Sequence, residues 1–377
     1  WVASHDEALL AGITHDEAAS LRAFLLNNQP DLWAHVMHAI AVEQGRMSRQ
    51  PHDAYTGKIT QPDLVANVQD QLGSTRRWSA SQLNEYGTCA FRFFASRLLK
   101  LEALEEEEEG LDALQLGSLN HAILEGTYRQ LMRDGIVISP DEAALHEALD
   151  ILEEIAQEKF VTAPRDYNFR PTARWTQEQQ VILRRLRLMI QLDFSEKAPL
   201  FRGSIERMPY EMELRFGFHD TETVTIPVDE NESIYVRGAI DRIDRIGDKL
   251  YVIDYKTGSK GISTTEMEAG RNFQMMLYLL ALDAILKQRG IEDLQVGGGV
   301  FWHIRNQKPS GSLDIDATVI DQPEIASAQH HLVRHLYNAR QADFRVKPSK
   351  PEKGRCTSYC DYYQLCRLSV INQHKYD

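Results

Sequence analysis

The sequence predicts a mixed α/β protein in which helices come first, strands follow and a cysteine-rich tail closes the chain. Three observations predict it. Residues 1–50 and 78–196 place apolar side chains at helical spacing. From residue 208 the period changes to two, in stretches rich in β-branched and aromatic residues. Cys356, Cys360 and Cys366 fall within eleven residues of the tail, while the fourth cysteine, Cys89, lies far upstream.

The elements follow in order. "DEALLAGI", "HDEAASLRAFLLNN" and "DLWAHVMHAIAVEQGRM" read as helices, and residues 51–77, polar with Pro and Gly, as an extended linker. Ser79 or Ser81 caps a helix over 81–101 whose aromatics, Tyr86, Phe91, Phe93 and Phe94, suit a core. "LDALQLGSLNHAILEGTYRQLMRDG" is a helix ending at Gly135, and 141–162 and 172–196 are two more. Strands then run through "MPYEMELRFGF", "TVTIPV", "SIYVRGAIDRIDRI" and "KLYVIDYKT", the last two joined by a tight turn at 247–249. A helix is expected from about 265 to 289, strands over 294–305 and 312–319, and a helix over 322–341.

With 377 residues, 43% of them hydrophobic, the chain can form one large domain or two ordinary ones. It has no apolar run long enough for a transmembrane helix and no visible signal peptide, so no membrane partner is expected and the expected location is cytoplasmic. It begins at Trp1 rather than Met, as a fragment of a longer protein would. No GxxxxGK[ST] phosphate loop occurs, which excludes an NTPase motor within these residues. A net charge of −13 argues against an evenly basic nucleic-acid surface. The charge is unevenly spread, however: acids run solidly over 105–109, while Arg and Lys cluster in 164–207 and 334–367, so a local basic groove remains open.

Chemistry concentrates in "VIDYKTGSK" and the strand before it. Asp254 and Lys256 are two residues apart on a strand and share a face, which is costly beside a buried strand unless a charged group lies between them. The preceding strand, "GAIDRIDR", offers Asp241 and Asp244 among apolar neighbours Ile240 and Ile243. Carboxylates from two adjacent strands can hold Mg2+, with the lysine positioning water or stabilising phosphoryl charge. A cross-strand ion pair, Asp241 with Lys256, is the plain alternative. His121 in "GSLNH" lies on a helix, and Gln274 and Tyr278 in "QMMLY" stand at i and i+4 on one helix face.

"GSLNH", "RGAIDRID", "IDYKTG" and "QMMLY", in that order, resemble the RecB-type nucleases of the PD-(D/E)XK superfamily over roughly residues 79–367, and "WSASQLNEYGTCAFRFFASRLLKLE" is similar to AddB-type helicase–nuclease subunits. The resemblance implies a restriction-endonuclease-like core with a mixed central sheet flanked by helices. It divides the chain into a helical N-terminal region and linker, 1–77, and a nuclease domain, 78–377. It implies a metal site of His121, Asp241, Asp254 and the Tyr255 carbonyl, with Lys256 as catalytic lysine and Gln274 and Tyr278 ordering the site. Glu213, or Glu211 in reserve, would join it. The implied reaction is hydrolysis of DNA with Mg2+ or Mn2+, exonucleolytic on single strands during double-strand-break repair and recombination, beside a helicase motor in the same chain or a partner subunit. A nuclease-fold module that only binds DNA or a partner, and a stand-alone CRISPR-adaptation-type nuclease, are the alternatives. In this family some members hold a [4Fe–4S] cluster on one cysteine before the core and three after it, a plan that Cys89, Cys356, Cys360 and Cys366 fit; four thiolates also suit structural Zn2+. The expected DNA contacts are Arg184, Arg185, Arg187, Lys347, Lys350 and Lys353.

Overall fold

The change of period near residue 208 marks a passage from helices to sheet in the computed structural model, which describes residues 19, 23, 26–48, 57–102, 110–228, 232–258, 260–316, 318–347, 356 and 360–366. Its elements are α1 (Pro30–Met47), α2 (Pro62–Gln71), β1 (Arg77–Trp78), α3 (Ala80–Thr88), α4 (Ala90–Phe93) running into a π turn, α5 (Ala113–Asp134), α6 (Glu142–Asp166) and α7 (Ala173–Asp193). Then come β2 (Arg207–Phe216), β3 (Val224–Pro227), β4 (Ser233–Val236), β5 (Gly238–Ile246), β6 (Lys249–Lys256), α8 (Thr264–Glu268), α9 (Gln274–Gln288), β7 (Gln295–His303), β8 (Lys308–Asp314), α10 (Pro323–Arg340) and α11 (Tyr363–Cys366). The predicted helix over 6–13, the acidic run, Lys350 and Lys353 lie outside the described residues.

A five-stranded sheet of order β2-β5-β6-β7-β8 forms the centre, antiparallel except for β6 beside β7. A small sheet, β1-β4-β3, stands apart from it. Helices cover both faces. α5, α6 and α7 pack on one through Leu119, Ile123, Leu152, Leu186, Ile253 and Trp302. α3, α9, α10 and the small sheet close the other through Leu83, Leu250, Val252, Met276, Leu279 and Leu332. A strand covered on both faces reads as continuously apolar rather than alternating, and all of Leu250 to Tyr255 on β6 is buried. The β5–β6 turn is narrower than predicted: Ile246 pairs with Lys249, leaving only Gly247 and Asp248 in the loop, with Gly247 at φ +65°.

Five predicted elements differ, one of them the strand expected over 312–319, which runs over Lys308–Asp314 instead. The linker over 51–77 contains α2, whose Val68 and Leu72 enter the core. The helix over 81–101 is capped by Ser79, with Gln82 completing the capping box, and breaks at Cys89, which is extended at φ −160°. Tyr86 and Phe93 of this segment are buried, and Phe91 and Phe94 only partly so. "SIYVRGAIDRIDRI" divides into β4 and β5, which belong to different sheets. The helix over 265–289 splits into α8 and α9 at Gly270, φ +65°. There a Cβ would meet the Cβ of His331 at 2.4 Å, so the close approach of α10 demands glycine. The split has a functional consequence, because it makes Gln274 the first residue of α9.

Candidate active site

β5 and β6 pair only from Arg242–Ile253 to Ile246–Lys249. Beyond that point they part: the start of β5 stays with β2, and the end of β6 with β7. The fork leaves the Tyr255 N–H without a ladder partner, and it donates instead to Asp241 Oδ2 at 2.7 Å. Across β5, Glu213 lies between the pairs Met212–Arg242 and Leu214–Ile240, opposite Asp241, and takes a left-handed φ of +52° inside a strand. Such a conformation is strained for a side chain with a Cβ and persists where its surroundings enforce it. On α5, His121 points its Nδ1 at Asp241 Oδ2, 3.5 Å away. Ligand atoms of His121, Glu213 and Asp241 all lie within 4.8 Å of one another.

Asp254 and Lys256 take up the other side of the fork. Lys256 Nζ is 2.5 Å from Asp254 Oδ2 and donates to Gln274 Oε1 at 2.7 Å. Gln274 Nε2 donates to Asp254 Oδ1 at 2.7 Å and to the Tyr278 hydroxyl at 3.0 Å. Gln274 can do this because α9 starts there: Asn84 Oδ1 accepts from the Phe273 N–H at 2.6 Å, and Asn272 Oδ1 from the Gln274 N–H at 3.0 Å. Lys256 thus pairs with the acid on its own strand, not with Asp241. A cavity of about 640 Å³ opens over the fork, lined by His121, Glu125, Glu213, Asp241, Lys256 and Thr257 among others.

Of the two acids on β5, only Asp241 belongs here. Asp244 is three residues on, faces the other way, and bonds to Arg242 within a fully buried group that also takes in Asp193, Arg207, Tyr128 and the Tyr255 hydroxyl. Glu211 pairs with Arg289 at 2.9 Å, away from the cluster. Two residues escaped the sequence reading. Glu125 lies one turn after His121 on α5, a spacing that could have revealed it. His303 sits at the end of β7 beside Lys256, hydrogen-bonded to the Gly258 carbonyl at 2.7 Å and the Ser310 hydroxyl at 2.8 Å; it steadies the segment after the lysine.

The charges are crowded. Burial, then the field of Asp241, pushes the Asp254 carboxyl up to about 7, against the pull of Lys256. Burial, Asp241 and Glu125 push Glu213 up to about 7. Burial works against charge on His121, but Asp241, with Asp254 and Glu213 behind it, outweighs it and raises the imidazole pKa. Partly buried carboxylates that repel one another, with an imidazole among them, form the hard donor set that a divalent cation relieves. The residues present fit Mg2+ or Mn2+.

In an unfolded chain the two carboxyls titrate near pH 4. The folded, metal-free state therefore holds more protons than the unfolded state up to about pH 7, and its stability falls as pH rises through that window; His121 acts in the same direction. The melting temperature of metal-free protein should drop between about pH 5 and about pH 8. Glu213→Gln and Asp254→Asn should each flatten the drop, as calorimetry would read. A parent-like slope in both variants contradicts the crowding.

Comparison with known proteins agrees with this geometry. Residues 77–367 match the model of the PD-(D/E)XK nuclease superfamily. The chain is 28% identical over 359 residues to a subunit of the ATP-dependent helicase/deoxyribonuclease of Carboxydothermus hydrogenoformans, covering 93% of this chain and 29% of that protein. It is 27% identical over 257 residues to the subunit of the same name in Clostridioides difficile, covering 66% of this chain and 21% of the other. It thus spans less than a third of the length of either relative. A family match running from the small first strand to the last cysteine, over a fork that gathers an acid from each central strand with a lysine and a glutamine, leads to one assignment: the chain belongs to the PD-(D/E)XK nuclease superfamily.

Proposed function

We propose that this chain is a metal-dependent deoxyribonuclease that hydrolyses phosphodiester bonds of single DNA strands, as an exonuclease in double-strand-break processing, fed by a helicase motor in the same chain or a partner subunit. The observation that carries the reading is the set at the fork: His121, Glu213 and Asp241 within 4.8 Å of one another, and Asp254, Lys256 and Gln274 joined by an ion pair of 2.5 Å and two hydrogen bonds of 2.7 Å. The relatives' name, which joins a helicase to a deoxyribonuclease, supports the motor and the substrate.

His121, Asp241, Asp254 and the Tyr255 carbonyl, joined by Glu213, would hold Mg2+ or Mn2+, which supplies charge neutralisation at phosphate and a more acidic water. The chain's own groups do the rest. The Lys256 ammonium, fixed between Asp254 and Gln274, faces the charge that grows on the phosphoryl oxygens as water attacks and the P–O bond to the leaving oxygen breaks. Gln274 holds Asp254 and Lys256 in one register, and Tyr278 anchors Gln274. Asp241 is oriented by the Tyr255 N–H. The proton lost by the water passes to solvent through the open cavity.

Cleavage of end-labelled single strands with Mg2+ should be lost in Asp241→Asn, whose amide oxygen can still accept from the Tyr255 N–H, and in Asp254→Asn, and reduced at least about 100-fold in Lys256→Ala, with melting temperatures close to the parent's. A parent that cuts no DNA with Mg2+ or Mn2+ leaves a binding module. Variants that melt far below the parent point to plain ion pairing instead.

We further propose that the four cysteines hold a [4Fe–4S] cluster that ties α3 to the tail. Support comes from placement. Cys356 and Cys366 share a small apolar cluster with Phe91 and Val346. Cys89, some 270 residues upstream of them, lies near enough to Cys356 to raise its own thiol pKa, after burial, and its sulfur accepts from the Lys347 N–H at 3.5 Å. Cys360 starts the turn that leads to Cys366. Protein purified without oxygen should carry about four iron and four sulfide per chain, and Cys89→Ala should melt well below the parent. One zinc per chain without iron refutes the cluster and keeps the staple; a parent-like melt in Cys89→Ala refutes the staple.

A further inference from the structure

A cluster of cations on α10, in the loop before α9 and in the segment after α10 takes no part in the hydrolysis above. Arg271, Arg334 and Lys347 are exposed, and among the described residues none has a carboxylate within ion-pairing distance. Arg334 instead donates to His331 Nδ1 at 2.9 Å. The loop is seated on α10 by the Gly270 contact with His331 and by a 2.9 Å hydrogen bond between His335 and the Gly270 carbonyl, which brings Arg271 to α10. Burial, then Arg334 and Arg271, depresses the Lys347 ammonium pKa, as neighbouring like charges do.

Two further facts say what completes it. Tyr337 follows Arg334 by one turn on α10, with His330 one turn before on the same face, and Tyr337 is 65% exposed. Arg271 precedes Gln274, which bonds both Asp254 and Lys256, by three residues. The patch therefore starts three residues from a side chain that holds Asp254 and Lys256, and it sets cations beside an open aromatic side chain. We propose that Arg271, Arg334 and Lys347 bind successive phosphates of a single DNA strand beside the active site while a base stacks on Tyr337. The strand is single because a paired base buries its faces in the duplex stack and cannot offer one to an aromatic side chain. The proposal rests on the DNA reading above and adds to it a path for the strand.

The test is binding of a fluorescein-labelled oligodeoxythymidine, followed by anisotropy in EDTA so that nothing is cut, across a salt series. The double variant Arg271→Glu/Arg334→Glu should bind at least about tenfold more weakly, with the slope of log affinity against log salt reduced by about one to two. Tyr337→Ala should weaken binding about 5- to 100-fold with the slope unchanged, and Tyr337→Phe should restore it. Parent-like affinity in the double variant and in Tyr337→Ala, at parent-like melting temperatures, overturns the proposal and assigns the patch to another partner. Weakened binding with the salt slope intact in the double variant overturns the phosphate contacts. A parent that binds as described but never cuts with Mg2+ refutes hydrolysis and leaves the patch standing; a parent that cuts while the variants bind normally refutes the patch alone.

Discussion

The structure turns on the separation of β5 from β6 after the Arg242–Ile253 pair. Two central strands that stay paired satisfy each other's backbone and leave no room between them. Two that part leave an N–H and a carbonyl needing partners in a buried sheet, at a cost of about 1–3 kcal/mol for each group left alone. Here the Asp241 carboxylate fills that role toward the Tyr255 N–H. The same side chain thereby becomes fixed beside His121, Glu213 and Asp254. One backbone vacancy thus sets the position of the acid on which the others converge.

The fork is held open from behind. On the reverse face of the same two strands, Arg242 is fully buried, donating to Asp244, Asp193 and the Tyr255 hydroxyl and lying 3.6 Å from the Tyr128 ring centre. Tyr255 therefore faces both ways: its hydroxyl is tied to Arg242 and its N–H to Asp241. Breaking one partner of a buried charge group costs about 3–5 kcal/mol, so the group resists rearrangement. Its value to the site is rigidity, since it fixes the strand that carries Asp254 and Lys256. From the other side α9 contributes Gln274, and the α8–α9 break that frees Gln274 is set by the fit of Gly270 against His331.

Much of this was legible in the sequence, for identifiable reasons. The pairing of Asp254 with Lys256 on one face, and of Gln274 with Tyr278 on another, follows from strand and helix periods alone. The order of strands and their boundaries near 208, 246 and 249 follows from alternation and a glycine turn. What could not be read depends on contacts between distant residues. The helix break at 269–273 comes from α10, some sixty residues away. The helix within 51–77 owes its place to Val68 and Leu72 finding a core formed far downstream. The preference for Glu213 over Glu211 came with the family resemblance; in the sheet Glu213 stands opposite Asp241, whereas Glu211 stands opposite Ile243 and pairs with Arg289. The absence of Asp244 from the site follows from period alone, since three residues along a strand reverse the face.

If the acids gathered by the fork exist to hold a divalent cation, the metal-free protein must take one up without any need for activity. Mn2+ titration read by electron paramagnetic resonance tests this. The parent should bind Mn2+ at a site from which Mg2+ competes it, and Asp241→Asn and Glu213→Gln should each weaken that binding at least about tenfold while Glu211→Gln leaves it unchanged. Mn2+ affinity that is absent in the parent, or undiminished in Asp241→Asn and Glu213→Gln, would contradict a cation-holding fork.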